Sequence, residues 1–148
     1  MTPPDDLPIN RSMPASTVIP VLAYPDVSEA VAWLCRAFGF RERLRIGNHR
    51  AQLAVGGGAV ALSRQIGDPA SASPAGYSIM VRVADADAHY RKALAAGALI
   101  VSSPADFPYG ERQYTAEDLA GHIWTFSQTV ADVDPAKWGG RLVGDLLD

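Results

Sequence analysis

The chain has 148 residues, of which 48% are hydrophobic, so it is long enough to bury the core of one ordinary domain. Its 13 basic and 16 acidic residues give a net charge of -3, and no cluster of Lys and Arg marks a surface for a phosphate backbone, which argues against a nucleic-acid partner. A single cysteine excludes an intrachain disulfide, and no segment is long and apolar enough for a membrane span or a signal peptide, so we expect a soluble, cytoplasmic protein.

A flexible leader, a strand and a helix are predicted first along the chain. Residues 1–15 contain four prolines and no apolar period, which is typical of a flexible leader. From Thr17, the segment TVIPVLAYP predicts a short strand, and Asp26 followed by Glu29 predicts the start of a helix. Gly39 is expected to end that helix as a left-handed cap. The helix has one apolar stripe, made of Val27, Ala30, Val31, Leu34, Cys35 and Phe38.

Strands dominate the remainder of both halves. FRERLRIG, HRAQLAVGG and GAVALSRQ predict three strands, the last two joined by a glycine turn. A polar, proline-bearing linker over residues 67–75 follows. YSIMVRVA then predicts a strand, Asp85 begins a helix that ends at Gly97, and ALIVSS predicts another strand. The segment PYGERQYTAEDLAGHIWTFSQ predicts a hairpin with its turn from Asp118 to Gly121.

The two halves repeat one plan, and this repeat decides the predicted architecture. Asp26 to Gly39 spans 13 positions and Asp85 to Gly97 spans 12, so cap and stop recur about sixty residues apart. Each half is a βαβββ module, over residues 16–66 and 76–130. A helix covers one face of each sheet, and two modules can hide their bare faces by curling around a shared hollow. We therefore predict an α+β fold in which a curved, eight-stranded mixed sheet surrounds a cup, as a single domain over 16–130.

The C-terminal extension, residues 131–148, carries apolar residues at roughly helical spacing. We expect a short terminal helix that packs on the body or on a partner subunit, with a frayed tail as the alternative. The residues concerned are Trp138, Leu142, Val143, Leu146 and Leu147.

The duplicated order and the closing hairpin resemble the glyoxalase, bleomycin-resistance and extradiol-dioxygenase superfamily, also called the vicinal oxygen chelate family. The hairpin is most similar to the resistance-protein branch, in which a Tyr/Trp-Gly-x-Arg turn leads into Asp-x-x-Gly-x-x-Trp. The positions that match are Tyr109, Gly110, Arg112, Asp118, Gly121 and Trp124. The chain departs from the pattern at Leu119-Ala120, where relatives usually carry a proline.

The resemblance also implies where a metal ion would be held. Enzymes of the family bind a divalent ion through His or Glu side chains of the first and last strand of each half. Alignment on the two helix caps puts these positions at Ile19, Ala61, Ser78 and Thr125, and none offers an imidazole or a carboxylate. We therefore predict a metal-free cup without a cofactor.

Strand alternation tests this register, because a slip by one residue would exchange the two faces. The helix-facing residues are bulky and comprise Val18, Leu22, Val60, Leu62, Ile79, Val81, Val83, Trp124 and Phe126. The cup-facing residues are smaller or more polar and comprise Thr17, Ile19, Val21, Ala59, Ala61, Ser63, Ser78, Met80, Arg82, Ile123, Thr125 and Ser127.

The histidines and the cysteine do not predict a catalytic centre. His49, His89 and His122 are expected at the surface or in turns, and they do not converge in this register. Cys35 lies on the apolar stripe of its helix without a base at fixed spacing, so we expect a buried hydrophobic residue rather than a nucleophile.

The candidate ligand-binding residues are Arg82, Met80, Tyr109, Arg112, Tyr114 and Thr125. Arg82 is the one charge on the predicted inner face, where it binds either an internal acid, such as Glu111 or Glu117, or a carboxylate, phosphonate or other polar group of a ligand. In the family pattern Tyr109, Arg112 and Tyr114 lie at the rim, where they offer stacking surface and hydrogen-bond donors; Arg112 and Tyr114 making only cross-strand pairs is the alternative.

These observations favour a metal-independent small-molecule binding protein of the glyoxalase/bleomycin-resistance type, with antibiotics among its candidate ligands, acting as a homodimer. The alternative is an enzyme of the same fold, a glyoxalase-like lyase or isomerase or a dioxygenase, with a divalent metal. A third interpretation is a structural or regulatory subunit whose cup is filled by its own side chains.

Overall fold

The computed structural model describes residues 7–65 and 76–143, and its elements form two βαβββ modules. The predicted linker 67–75 and residue 66 lie outside the described residues. The first module consists of β1 (Val21–Tyr24), α1 (Val27–Phe38), β2 (Arg41–Ile46), β3 (Arg50–Val55) and β4 (Gly58–Arg64). The second consists of β5 (Ile79–Arg82), α2 (Ala86–Ala95), β6 (Leu99–Phe107), β7 (Glu111–Glu117) and β8 (Ile123–Thr129).

The two modules have the same sheet topology. The strand order is β1-β4-β3-β2 in one sheet and β5-β8-β7-β6 in the other. In each, the first strand pairs in parallel with the last, and the remaining pairs are antiparallel. The predicted α+β fold of two βαβββ modules is confirmed, and its eight strands are divided between two four-stranded mixed sheets. The described residues form two compact units, namely 7–65 with Leu119–Gly121, and the rest of 76–143.

Both helices begin at the aspartates that the sequence singled out. The Asp26 side chain accepts a hydrogen bond from the amide of Glu29 at 3.0 Å, and Asp85 accepts one from the amide of Ala88 at 3.0 Å. Such caps satisfy amides that have no partner inside the helix. Gly39 ends α1 in the left-handed conformation, as predicted, and its amide binds the carbonyl of Cys35.

The core of the first module lies between α1 and its sheet. Leu34, Leu53 and Leu62 are completely buried there. Trp33 was not expected on the apolar stripe, yet it is 9% exposed and packs edge-on against Phe38, with ring centroids 5.1 Å apart. Cys35, expected to be buried, is only partly so. Burial and, secondarily, the charge of Glu42 raise the pKa of its thiol, which disfavours the thiolate.

Two strands differ from their predicted lengths. β1 begins at Val21 rather than Thr17, so the assignment of Val18 to the helix-facing side is wrong, and this side chain is 78% exposed. β6 continues past Ser103 through Pro104 to Phe107. It lies at the edge of its sheet, where proline removes no ladder hydrogen bond that a neighbour needs, and its register shifts twice against β7.

The N-terminal segment, residues 7–15, contacts the first module's sheet on the face away from α1. The Arg43 guanidinium donates to the carbonyls of Arg11 (3.3 Å) and Met13 (2.8 Å), and the amide of Gln52 donates to the carbonyl of Ser12 (2.9 Å). Arg43 also donates to Gln52. Residues of the segment and Arg43 line a cavity of about 440 Å³. The flexibility predicted for residues 1–15 stays a prediction.

The C-terminal extension, where a short terminal helix was one of the two expectations, contains a short 3₁₀-helix, Pro135–Trp138. Asp134 caps it, and Gly139 ends it in the left-handed conformation. Leu142 and Val143 are exposed, whereas Leu146 and Leu147 lie outside the described residues. No helix in the described part of the chain is long and apolar enough to cross a membrane.

Candidate ligand-binding face

One face of the second module's sheet is apolar and is covered by α2. Trp124, Phe126 and Tyr114 are completely buried on it. His89 of α2 packs on Phe126, with ring centroids 4.2 Å apart, and its Nδ1 hydrogen-bonds the Tyr114 hydroxyl. The expectation of a surface position for His89 is therefore wrong. His89 lies on the side of α2 that packs on the aromatic rings of the sheet, where it is the hydrogen-bond partner that the buried Tyr114 hydroxyl requires.

The opposite face of the same sheet carries polar side chains, and the pairing of the strands brings them together. Met80 pairs with Thr125 and Arg82 with Ser127 across β5 and β8, while Gln113 pairs with Ser127 across β7 and β8. These pairs confirm the predicted alternation in β5 and β8. We call this surface the polar face; it consists of Met80, Arg82, Glu111, Gln113, Thr115, Thr125, Ser127 and Thr129.

Hydrogen bonds order the side chains of the polar face. The Ser127 hydroxyl and the Gln113 amide both donate to Oε1 of Glu111, at 2.7 and 2.8 Å. The hydroxyls of Thr115 and Thr125 bond each other at 2.8 Å. Glu111, Gln113 and Thr115 were not predicted as site residues. Extending the alternation from Thr125 across the predicted hairpin would have found them.

Arg82 and Met80 lie on the polar face as predicted. Met80 is 60% exposed, which is high for an apolar side chain on a sheet. Arg82 is exposed, and its guanidinium donates to the Thr129 hydroxyl at 3.1 Å. The alternative of an internal acid is not realised, since Arg82 forms no ion pair with either Glu111 or Glu117. Its guanidinium is therefore accessible to a ligand.

Arg112 and Tyr114 belong to the helix-covered face, so the structure does not bring them together with the other predicted site residues. Arg112 forms ion pairs with Asp87 of α2 at 3.0 Å and with Asp106 at 3.1 Å. The hydrogen bonds to Asp106 and Asp87 raise its pKa. Burial raises the pKa of Tyr114 far above its usual value near 10.0, so the phenol stays protonated as a hydrogen-bond partner of His89.

Tyr109 occupies the turn between β6 and β7. Its ring stacks on Phe107, with centroids 5.5 Å apart, and Trp138 of the C-terminal 3₁₀-helix packs on it edge-on at 5.6 Å. Gly110 adopts φ +81°, and a Cβ there would lie 2.1 Å from the carbonyl oxygen of Ala131. Glycine is thus required at this step of the family-like motif, because the returning chain passes directly over it.

The turn between β7 and β8 is built around Asp118. This carboxylate is 4% exposed and accepts from the His122 amide and from the Trp124 indole, both at 3.0 Å. The Tyr77 hydroxyl bonds Nδ1 of His122 at 2.9 Å. Burial, reinforced by Asp118, raises the pKa of Tyr77. The motif residues Asp118 and Trp124 therefore hold the hairpin together, and His122 has the turn role expected of it.

The residues at the implied metal positions do not fit a divalent ion. Ile19 and Ala61 have no donor atom, and Ala61 is 3% exposed in a strand pair with Val21. Thr125 uses its hydroxyl in the bond with Thr115, and Ser78 offers only a hydroxyl. Within residues 7–65 and 76–143 there is no group of three or more His, Cys, Asp or Glu side chains that could hold a metal.

Comparison with known proteins agrees with the two-module fold. A family model described as the Glyoxalase/Bleomycin resistance protein/Dioxygenase superfamily matches residues 17–126, nearly all of both modules. The chain belongs to this superfamily. A protein of Mycobacterium bovis, Mb0911c, is 28% identical over 128 residues, which cover 78% of this chain and 84% of the relative.

Solved structures of the superfamily are similar to the chain. The crystal structure of TioX from Micromonospora sp. ML1 is 43% identical, covers 77% of this chain and 98% of TioX, and has a TM-score of 0.64. The bleomycin-binding protein of the bleomycin producer Streptomyces verticillus, solved with copper(II)-bleomycin, is 24% identical, with coverage of 75% and 93% and a TM-score of 0.56. The latter likeness establishes the shared fold.

Proposed function

We propose that the chain is a small-molecule binding protein of the glyoxalase/bleomycin-resistance type, which holds its ligand at the polar face without a metal ion and without turnover. The observation that carries the proposal is the contrast between the two faces of the second sheet. One is sealed by α2 over Trp124 and Phe126, whereas the other presents Met80 at 60% exposure beside ordered hydroxyl and amide groups. An apolar group among fixed polar groups is the usual composition of a ligand site.

Three of the predicted residues are assigned to direct ligand contact. Arg82 provides an accessible donor for a carboxylate or another polar group, Met80 provides an adaptable apolar surface, and Thr125 pairs directly with Met80 across β5 and β8. Tyr109 is proposed as a stacking surface at the β6–β7 turn, beside the exposed ring of Phe107. Arg112 and Tyr114 hold α2 against the sheet and are not proposed as contacts.

Metal independence is supported by the donor set. The four positions at which family enzymes carry ligands hold two aliphatic and two hydroxyl side chains, which cannot replace the water of a divalent ion as imidazole or carboxylate does. We further propose that the protein acts as a cytoplasmic homodimer, which sedimentation velocity of the purified chain can test.

The direct test is a thermal-shift screen against planar, cationic and peptide-like antibiotics, followed by calorimetry. It should include copper(II)-bleomycin and metal-free bleomycin, because the bleomycin-binding protein of Streptomyces verticillus shares the fold. We expect a saturable ligand whose affinity falls about fivefold to tenfold in Met80→Ala, for the loss of apolar contact. Leu94→Ala, which removes an exposed apolar side chain of α2, is the matched control and should bind as the parent does.

Metal analysis of protein purified without chelator decides between this proposal and an enzyme. We expect substoichiometric Ni, Zn, Mn and Fe. One divalent ion per chain together with turnover of a small substrate would contradict the proposal and favour a lyase, isomerase or dioxygenase.

A further inference from the structure

Glu111 and Glu117 are the acidic residues of β7 on the side of the polar face, and nothing in the sequence motifs assigns a role to Glu111. It opens β7 and pairs with Thr129 of β8. Its side chain lies on the same side of the sheet as Gln113 and Ser127, both of which donate to it. It is partly buried, so its charge is less screened than that of a residue at the surface.

The hydrogen bonds of Glu111 use one of its two carboxylate oxygens and leave the other available to accept a bond from a ligand. Ser127 and Gln113 both donate to Oε1, and across residues 7–65 and 76–143 no group donates to Oε2. The two donors fix the orientation of the carboxylate, because a rotated carboxylate would lose both bonds. Oε2 is thus a fixed acceptor without a partner among the described residues.

No basic side chain neutralises Glu111 in the described part of the chain. Arg112, its neighbour in sequence, extends to the other face and is committed to Asp87 and Asp106. Arg82, on β5, reaches across β8 to donate to Thr129, the cross-strand partner of Glu111, but it forms no ion pair with Glu111. A partly buried carboxylate supported by neutral hydrogen bonds alone gains most from a cation that arrives with a ligand.

We propose that Glu111 receives a cationic, N–H-bearing group of the ligand, so that the site selects small cations with an apolar body that contacts Met80. This inference rests on the proposed function of the polar face. A ligand N–H group would donate to Oε2 while Oε1 keeps its two internal donors. The net charge of -3 favours the approach of the same class of ligand.

The test compares two probes that share one ring system. 9-Aminoacridine is a cation at neutral pH, and acridine is largely neutral, so the pair isolates the charge. We expect the wild-type protein to bind 9-aminoacridine about tenfold more tightly than acridine, as measured by fluorescence titration at low salt. Glu111→Gln should abolish this preference by weakening the binding of 9-aminoacridine about tenfold. Because glutamine keeps an oxygen in the place of Oε1, the internal hydrogen bonds can be retained.

The control is Glu29→Gln, which makes the same charge change on α1 of the first module and should keep the preference. Thermal unfolding and circular dichroism establish that both variants are folded. Equal binding of the two probes by the wild-type protein, or an unaltered preference in Glu111→Gln, overturns the inference and leaves the proposed function standing. Failure of 9-aminoacridine to bind also overturns it, whereas the proposed function fails only if the whole antibiotic panel gives no binder.

Discussion

The two modules share one topology but differ in what lies on the face of each sheet that its helix leaves uncovered. In the first module, Gln52 is 8% exposed and donates to the carbonyl of Ser12, so the N-terminal segment supplies the partner that a buried amide requires. In the second, Met80 is 60% exposed and the polar groups bond mainly one another. Duplication thus provides two equivalent faces, and the chain's own segment meets the needs of one of them. The other is the better candidate for a ligand.

The helix-covered faces of the two sheets have buried residues at equivalent positions, but the residues differ in type. Replacing one of these residues by alanine should give the largest loss of stability among the predictions. Leu62 in β4 and Phe126 in β8 occupy corresponding places, next to β1 and β5, and both are completely buried. We expect Phe126→Ala to lower the free energy of unfolding by about 3–5 kcal/mol and Leu62→Ala by about 2–5 kcal/mol, because each leaves a cavity. Denaturant unfolding followed by fluorescence and by circular dichroism measures both.

A decrease of less than about 1 kcal/mol in the free energy of unfolding of either variant would contradict the comparison, because truncation of a completely buried core residue destabilises a protein by more than this. Agreement of the two spectroscopic transitions would establish that both modules unfold together.

The buried hydroxyl of Tyr114 in the aromatic core should make the second module less stable at alkaline pH. The phenol of Tyr114 is neutral in the folded protein at pH values where the unfolded chain already ionises, because burial raises its pKa. Its stabilising effect is complete below about pH 10 and is lost as the pH rises further towards the folded pKa, with a slope of up to about 1.4 kcal/mol per pH unit. Tyr114→Phe should be less stable at neutral pH, for want of the bond to His89, but flatter above pH 10.

Urea unfolding of the wild-type protein and Tyr114→Phe at several pH values between about pH 8 and pH 11 measures the difference in slope. The raised pKa of Tyr77 contributes equally to both proteins and cancels. Parallel curves for the two proteins would contradict the assignment.

Sequence reasoning found the parts of the molecule that depend on local chemistry. The caps at Asp26 and Asp85 and the stop at Gly39 follow from residue type and spacing, so the module plan could be predicted. The alternation placed Met80, Arg82 and Thr125 on one face of the second sheet, as the strand pairs confirm. The start of strand β1 was harder to predict, because the strand begins later than its apolar run and Val18 is exposed.

The roles of Arg112, Tyr114 and Glu111 depend on long-range partners, which periodicity does not identify. Arg112 matches the family motif and Tyr114 follows it on the same strand, but their partners Asp87 and His89 lie on α2, 25 residues away in sequence. Glu111 was weighed only as a partner for Arg82, although its actual donor Ser127 comes from β8. Periodicity identifies a face of a strand, whereas tertiary contacts decide which groups remain free on it.

The smallest predicted effect concerns the segment on the first module's sheet. Arg43 donates to the carbonyls of Arg11 and Met13, so Arg43→Ala should release residues 10–13 at a cost of about 0.5–1.5 kcal/mol in local stability. Trypsin cleaves after Arg11 only when the segment opens, and the cleavage rate should therefore rise roughly twofold to tenfold. Mass spectrometry of brief digests measures cleavage at this one bond.

Arg45→Ala is the matched control, because Arg45 lies on the same strand and its partners are Glu42 and Ser28 rather than the segment. Its cleavage rate after Arg11 should equal that of the wild-type protein. If Arg43→Ala and Arg45→Ala are cleaved alike, the guanidinium of Arg43 does not hold the segment. The difference between the two modules would then rest on the bond from Gln52 to Ser12 alone, and Gln52→Leu would be the variant that removes it.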